Sequence, residues 1–163
     1  AGGSVDNLEP GKELLLEVRR AGARIYPTNE AFAQGLQTEE ISCGIMWKAR
    51  VVQWQNAGIN VLPVTPSEGI LPYTSGMVIP KNAPNVDGAY AYINAMLEPE
   101  AQLNFAIDMG YDGTVTNAPI EGELKERIGF TEQEAANMKD LDYEFILDND
   151  VELKNWWDRE FKA

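Results

Sequence analysis

Trp47, Lys48 and Arg50 stand within four residues of one another and combine a flat apolar ring with two positive charges. That grouping suits a small solute. The indole can cover a carbon skeleton, and the cations can meet a carboxylate or phosphate. The run Ile41–Trp47 reads as a buried strand with Ile41, Cys43, Ile45 and Trp47 on one face, followed by a helix over Lys48–Ala57 that Gly58 ends. In open parallel sheets ligands bind beyond the carboxyl ends of strands, which is where Trp47 falls. Lys48 and Arg50 then occupy the first helical turn, where the macrodipole disfavours cations. A bound anion relieves that conflict, because helix N-termini attract negative charge. The competing readings are a core tryptophan under the helix, and two cations that extend into solvent or pair with surface carboxylates.

Two polar loops add candidates. Tyr73-Thr74-Ser75-Gly76 precedes a short strand, Met77–Pro80, and offers hydroxyls and free backbone groups; Tyr111-Asp112-Gly113-Thr114-Val115-Thr116-Asn117 follows a helix, and Asp112 could hold an ammonium group. Ordinary turn chemistry explains both loops equally well. Asp148-Asn149-Asp150 is a poor calcium loop, because Leu153 stands where a glycine is required; helix capping by Asn149 with Glu152 explains it better. Glu39-Glu40 and Asp140 with Asp142 read as solvated faces. No two carboxylates are placed at a separation that glycoside hydrolysis requires. With no histidine and the single cysteine Cys43, the usual zinc sites and His-based triads are absent. No catalytic residue, metal or cofactor is expected, and the chain reads as a non-enzyme.

The composition supports a packed core: 44% of residues are apolar and 24% charged. Lys and Arg number 13 against 26 Asp and Glu, a formal charge of −13. That field repels phosphate backbones and anionic lipid and favours a cationic or zwitterionic solute at long range. Cys43 lies in an apolar run and is expected to be a buried structural thiol. The opening Ala1-Gly2-Gly3-Ser4 has no basic-then-apolar run, and no apolar stretch approaches the roughly 20 residues that span a bilayer. A cytoplasmic protein, or an exported one that has lost its leader, is expected.

Further elements must position these loops. Pro10–Arg20 reads as a helix, Ala23–Tyr26 as a short strand, and Thr28 as the N-cap of a helix near Asn29–Gln37. Ile59–Val64 is the next strand. This rhythm predicts βαβ units on a largely parallel sheet. Beyond Gly76 the pattern becomes helical: Asp87–Leu97, a helix opened by Pro99 and stopped by Gly110, one begun by the capping box Thr131 and Glu134, and a last helix carrying Leu153, Trp157 and Phe161. The shift near Gly76 divides the chain into 1–75 and 76–163, and neither half carries enough strands to cover a sheet.

The ordered set Gly44-Ile45-Met46-Trp47, Val61-Leu62-Pro63-Val64, Pro66-Ser67-Glu68-Gly69 and Ser75-Gly76-Met77-Val78-Ile79-Pro80-Lys81-Asn82-Ala83 resembles the bacterial extracellular solute-binding proteins. Within them it is most similar to the putrescine/spermidine-type periplasmic receptors of ABC importers. The likeness continues through Ala89–Asn94, Leu97–Ala101, Gly110-Tyr111 and Thr116-Asn117, and covers nearly the whole chain. It implies an α/β, type II periplasmic-binding-protein-like receptor of two lobes that closes like a hinge, of which this chain is the C-terminal half. Residues 1–75 would complete the second lobe with parallel βαβ units; 76–163 would supply a crossover strand and C-terminal helices to the first.

The partners implied are a small organic solute, an ABC permease in the inner membrane and the N-terminal half of the same receptor chain, all in the periplasm and without nucleic acid. By the same resemblance Trp47 matches an aromatic residue that covers the ligand, Tyr73 a second cleft aromatic, and Tyr111 a tyrosine near the cleft. Ser75 stands where the polyamine receptors use a carboxylate to bind an amine, and Lys48 and Arg50 replace small polar residues. With the dipole argument, these departures favour a ligand bearing a carboxylate, such as an amino-acid-like compound or opine. Two other classes remain: the ligand-sensing domain of a regulator, which needs a helix-turn-helix that is not visible, and a carboxylate-based hydrolase, for which only Asp112 lies near the cleft.

Overall fold

A computed structural model describes residues 2–162, and local signals set its helices. Pro10 lies in the first turn of α1 (Glu9–Arg20), where its missing N–H costs nothing, and Arg19 and Arg20 sit at the negative end of the helix dipole. Thr28 Oγ1 accepts from Ala31 N at 3.1 Å at the start of α2 (Asn29–Gln37). Trp47 is the N-cap of α3 (Lys48–Asn56). Asn85 caps α4 (Val86–Met96), accepting from Gly88 N at 2.9 Å. Pro99 opens α5 (Pro99–Met109), and Gly110 ends it with φ 71°. Then come α6 (Gly122–Ile128), which the sequence reading leaves as loop, α7 (Glu132–Ala136) and α8 (Tyr143–Trp156), which runs on into a π-helical turn, Trp157–Phe161. The Thr131–Glu134 capping box forms as its spacing predicts.

The expected strands do not form. Residues 23–26, 41–47, 59–64 and 77–80 are neither helical nor laddered, and the pairing among the described residues is confined to isolated bridges, Ser4 with Asn7 and Ile70 with Met138. The α/β fold with parallel βαβ units, and with it the two-lobed receptor and its C-terminal half, is therefore overturned. The cause is physical: alternating apolar residues favour a strand only where a neighbouring chain takes up the backbone N–H and C=O groups. Here the described residues give none of the four segments a strand ladder, and Ile45 is 99% exposed. Cys43, expected in the core, is exposed as well. The last helix is capped by Asp142, which accepts from Phe145 N at 2.9 Å. Asn149 lies inside that helix and donates to Phe145 O at 2.8 Å.

The chain divides into two units, Ala1–Phe32 with Asp140–Ala163, and Ala33–Lys139. In the first, α1 meets the π-helical turn: Arg19 Nε donates to Phe161 O at 2.9 Å, and the buried Phe161 ring stacks on Trp157 at 4.1 Å. In the second, Val52 of α3, Ala106 of α5, Ile120 and Ile128 of α6 form a core, with Leu103, Ala118 and Leu124 against it. Full burial of a side chain such as Val52 stabilises the fold by about 1.5–3 kcal/mol. The crossing of α3 and α5 depends on Gly110, where a Cβ would stand 2.9 Å from Val52 Cβ. Among the described residues no helix is long and apolar enough to cross a membrane.

Candidate functional site

Trp47 and Tyr73 come together although 25 residues separate them in the sequence. Their ring centroids lie 5.0 Å apart with the planes tilted by 43°. Both rings are open, 56% and 60% exposed. Trp47 takes an extended conformation (φ −63°, ψ 131°) at the start of α3 and is not part of the buried core. The core tryptophan of that helix is Trp54, which is buried. The pair is a tilted aromatic shelf that can receive an alkyl chain or an ammonium group on its π faces.

The cations beside it point elsewhere. Lys48 Nζ donates to the carbonyl of Gly129, the C-cap of α6, and lies 4.4 Å from the centroid of the Phe130 ring. The conflict between a first-turn cation and the α3 dipole is thus relieved inside the fold, by the negative end of another helix and an aromatic face. Burial lowers the Lys48 pKa below its ordinary value, with Glu134 and then Asp112 acting against that shift. Arg50 Nη1 donates to Gln53 Oε1 at 2.7 Å, and Gln53 Nε2 in turn to Met109 O at 2.8 Å.

Asp112 is engaged too. Both its carboxylate oxygens accept from Lys125 Nζ, at 2.7 and 3.0 Å, and one also accepts from Gly113 N at 3.0 Å. Tyr111 rests against Phe105 with centroids 5.6 Å apart. Ser75 is exposed. Of the seven expected ligand residues, the structure joins Trp47 to Tyr73 directly, while Lys48, Arg50, Tyr111 and Asp112 each meet a different partner.

Sequence reasoning missed the link between α7 and the loop that leads to Tyr73. Glu134 accepts from Thr65 Oγ1 at 2.5 Å and, through its other oxygen, from Thr131 N at 2.8 Å and Thr131 Oγ1 at 3.0 Å. These bonds, the one from Thr65 foremost, hold its pKa at about 2. The capping-box spacing locates Glu134, but nothing local announces Thr65. Among the described residues no group of three or more His, Cys, Asp or Glu side chains is gathered to hold a metal ion.

Residues 7–131 match the family described as bacterial extracellular solute-binding protein. The spermidine/putrescine-binding periplasmic proteins of Escherichia coli and Salmonella typhimurium are each 32% identical over 72 residues, 44% of this chain and 21% of theirs. A putrescine-binding periplasmic protein of Escherichia coli is 26% identical over 132 residues, 76% of this chain and 35% of its own. The chain thus spans well under half the length of these relatives. No solved structure matches it.

Proposed function

The chain belongs to the bacterial extracellular solute-binding protein family, and on that premise we propose that it is a non-catalytic binding protein which receives a small organic cation on the open shelf of Trp47 and Tyr73. The observation that carries this reading is the ring pair itself, 5.0 Å between centroids and exposed on both members. Charge selects the ligand. The cations thought to await a carboxylate, Lys48 and Arg50, are turned to Gly129, Phe130 and Gln53. A net charge of −13 draws cations at long range. The relatives named above are described as binding spermidine and putrescine, whose ammonium groups and methylene chains suit π faces. A periplasmic location is part of this proposal, and the relatives' descriptions support it.

Capture between two lobes, hinge closure, delivery to an ABC permease and pairing with an N-terminal half are not retained. Each presupposes an α/β clamp, and the described residues form no sheet. The preference for a carboxylated ligand is withdrawn as well, since Lys48 is spent on Gly129 and Phe130. An ammonium over an exposed ring gains about 0.5–1 kcal/mol, so even with buried methylenes the shelf should bind on the order of millimolar, far from the tightness of an enclosed cleft.

The test is titration of tryptophan fluorescence with spermidine, with putrescine, and with succinate as a plain dicarboxylate. Spermidine should shift the emission, Trp47→Ala should abolish the shift, and succinate should leave it unchanged. A response to succinate without one to spermidine, or a spermidine response that survives Trp47→Ala, overturns the reading.

A further inference from the structure

Neither ring of the shelf is held by a sheet, and Tyr73 lies in no helix, yet both rings trace back to one short segment, 129–139. On the Trp47 side, the next residue, Lys48, reaches Gly129 O and the face of Phe130. On the Tyr73 side, the loop that leads to it is fastened at three successive points. Thr65 Oγ1 donates to Glu134 at 2.5 Å, Asn137 Nδ2 donates to Ser67 O at 2.8 Å, and Lys139 N donates to Ile70 O at 2.9 Å. Gly69 allows the approach: its φ is 111°, and a Cβ there would collide with Asn137 O.

We propose that α7 and its flanks act as a clasp that sets the spacing of Trp47 and Tyr73, with Glu134 as the positioning residue that fastens the Tyr73 arm through Thr65. The hydrogen bonds of Glu134 run to Thr65 and Thr131, so it acts on the shelf through the loop. One oxygen closes the capping box of α7 and the other takes the Thr65 hydroxyl, so the helix start and the loop are locked by the same carboxylate. The geometry of the clasp stands without any ligand; its consequence for binding rests on the aromatic shelf being the binding surface.

The experiment therefore has two readouts. The first is the NOE between the Trp47 indole and Tyr73 ring protons in the free protein, which requires no ligand. The second is the spermidine affinity. Thr65→Val removes the hydroxyl with little change in volume and spares the capping box; Glu134→Ala removes both functions; Thr131→Ala weakens the cap but leaves Thr65 bonded to Glu134. Thr65→Val and Glu134→Ala should lose most of the NOE and weaken spermidine binding by roughly three- to tenfold, the worth of one hydrogen bond. Thr131→Ala should keep the NOE, and Glu134→Gln should restore part of it. An intact NOE in Thr65→Val, or an equal loss in Thr131→Ala, overturns the clasp. If spermidine fails to bind the parent protein while Thr65→Val still loses the NOE, the clasp stands and the cation-binding reading falls.

Discussion

The Lys48 ammonium sits 4.4 Å from the centroid of the Phe130 ring and donates to the neighbouring Gly129 carbonyl, 81 residues along the chain. This one relationship reverses the electrostatic reading of the site. A cation at the start of α3 looks like bait for an anion, but here its charge is already answered by the end of α6.

Replacing Lys48 by Met removes a hydrogen bond and a cation–π contact worth about 1 kcal/mol, but also a cation whose burial is unfavourable, so stability at neutral pH should fall by less than about 1 kcal/mol. The pH dependence has a definite sign. Burial puts the folded-state pKa of Lys48 below 10.5, its ordinary value, so between those two values the unfolded chain binds more protons. Wild-type stability then gains relative to Lys48→Met as pH rises through that window. Urea unfolding of both proteins across the alkaline range measures it, and parallel profiles would show that Lys48 is not desolvated.

Glu134 gives the opposite limb. Its pKa falls from 4.5 to about 2 because the Thr65 hydroxyl, then the Thr131 backbone and hydroxyl, bond its ionised form. A depressed carboxylate contributes stability that is present above 4.5 and is lost as pH falls towards 2. Glu134→Gln should flatten that part of the Tm–pH curve. An unchanged acid slope would mean that these bonds do not favour the carboxylate.

How much of this could be read from residues alone follows the range of each interaction. Most helices were legible because their signals are local: Pro10, Thr28, Pro99, Gly110 and the Thr131–Glu134 box each act within one turn. By contrast, α6 has no side-chain cap to announce it, and Asn149, read as a cap, lies inside the helix that Asp142 starts. The strands were misread because pairing is not local. Ile41–Trp47 carries the alternation of a sheet strand, yet alternation cannot supply the neighbour that a ladder needs. For the site, Trp47 and Tyr73 were both named from the sequence, but their contact was not. The partners of Lys48 and Thr65 lie 81 and 69 residues away, beyond any pattern a local window can detect.

Gly110 tests the packing that carries α3, and hence Trp47. Its φ of 71° alone should make Gly110→Ala cost about 1–2 kcal/mol, and overpacking against Val52 adds about 1–3 kcal/mol. Gly58 provides the control: its φ is 81° but a Cβ there meets nothing within 4 Å, so Gly58→Ala should show the conformational cost of about 1–2 kcal/mol alone. Chemical denaturation of the two variants separates the terms. Equal midpoints would show that α3 and α5 have room to spare at Gly110.

Cys43 distinguishes the two accounts of residues 41–47 most directly. Within a buried strand its thiol would be shielded, and a thiol reagent such as DTNB would need denaturant to reach it. In the structure Cys43 is exposed, between Ser42 and Gly44 that are exposed too. The native protein should therefore release one equivalent of thionitrobenzoate at a rate close to that of the unfolded chain, with little change in Tm after labelling. Protection by several orders of magnitude would mean that this segment is covered in solution, and that the apolar alternation of Ile41, Cys43 and Ile45 had found the neighbour it lacks here.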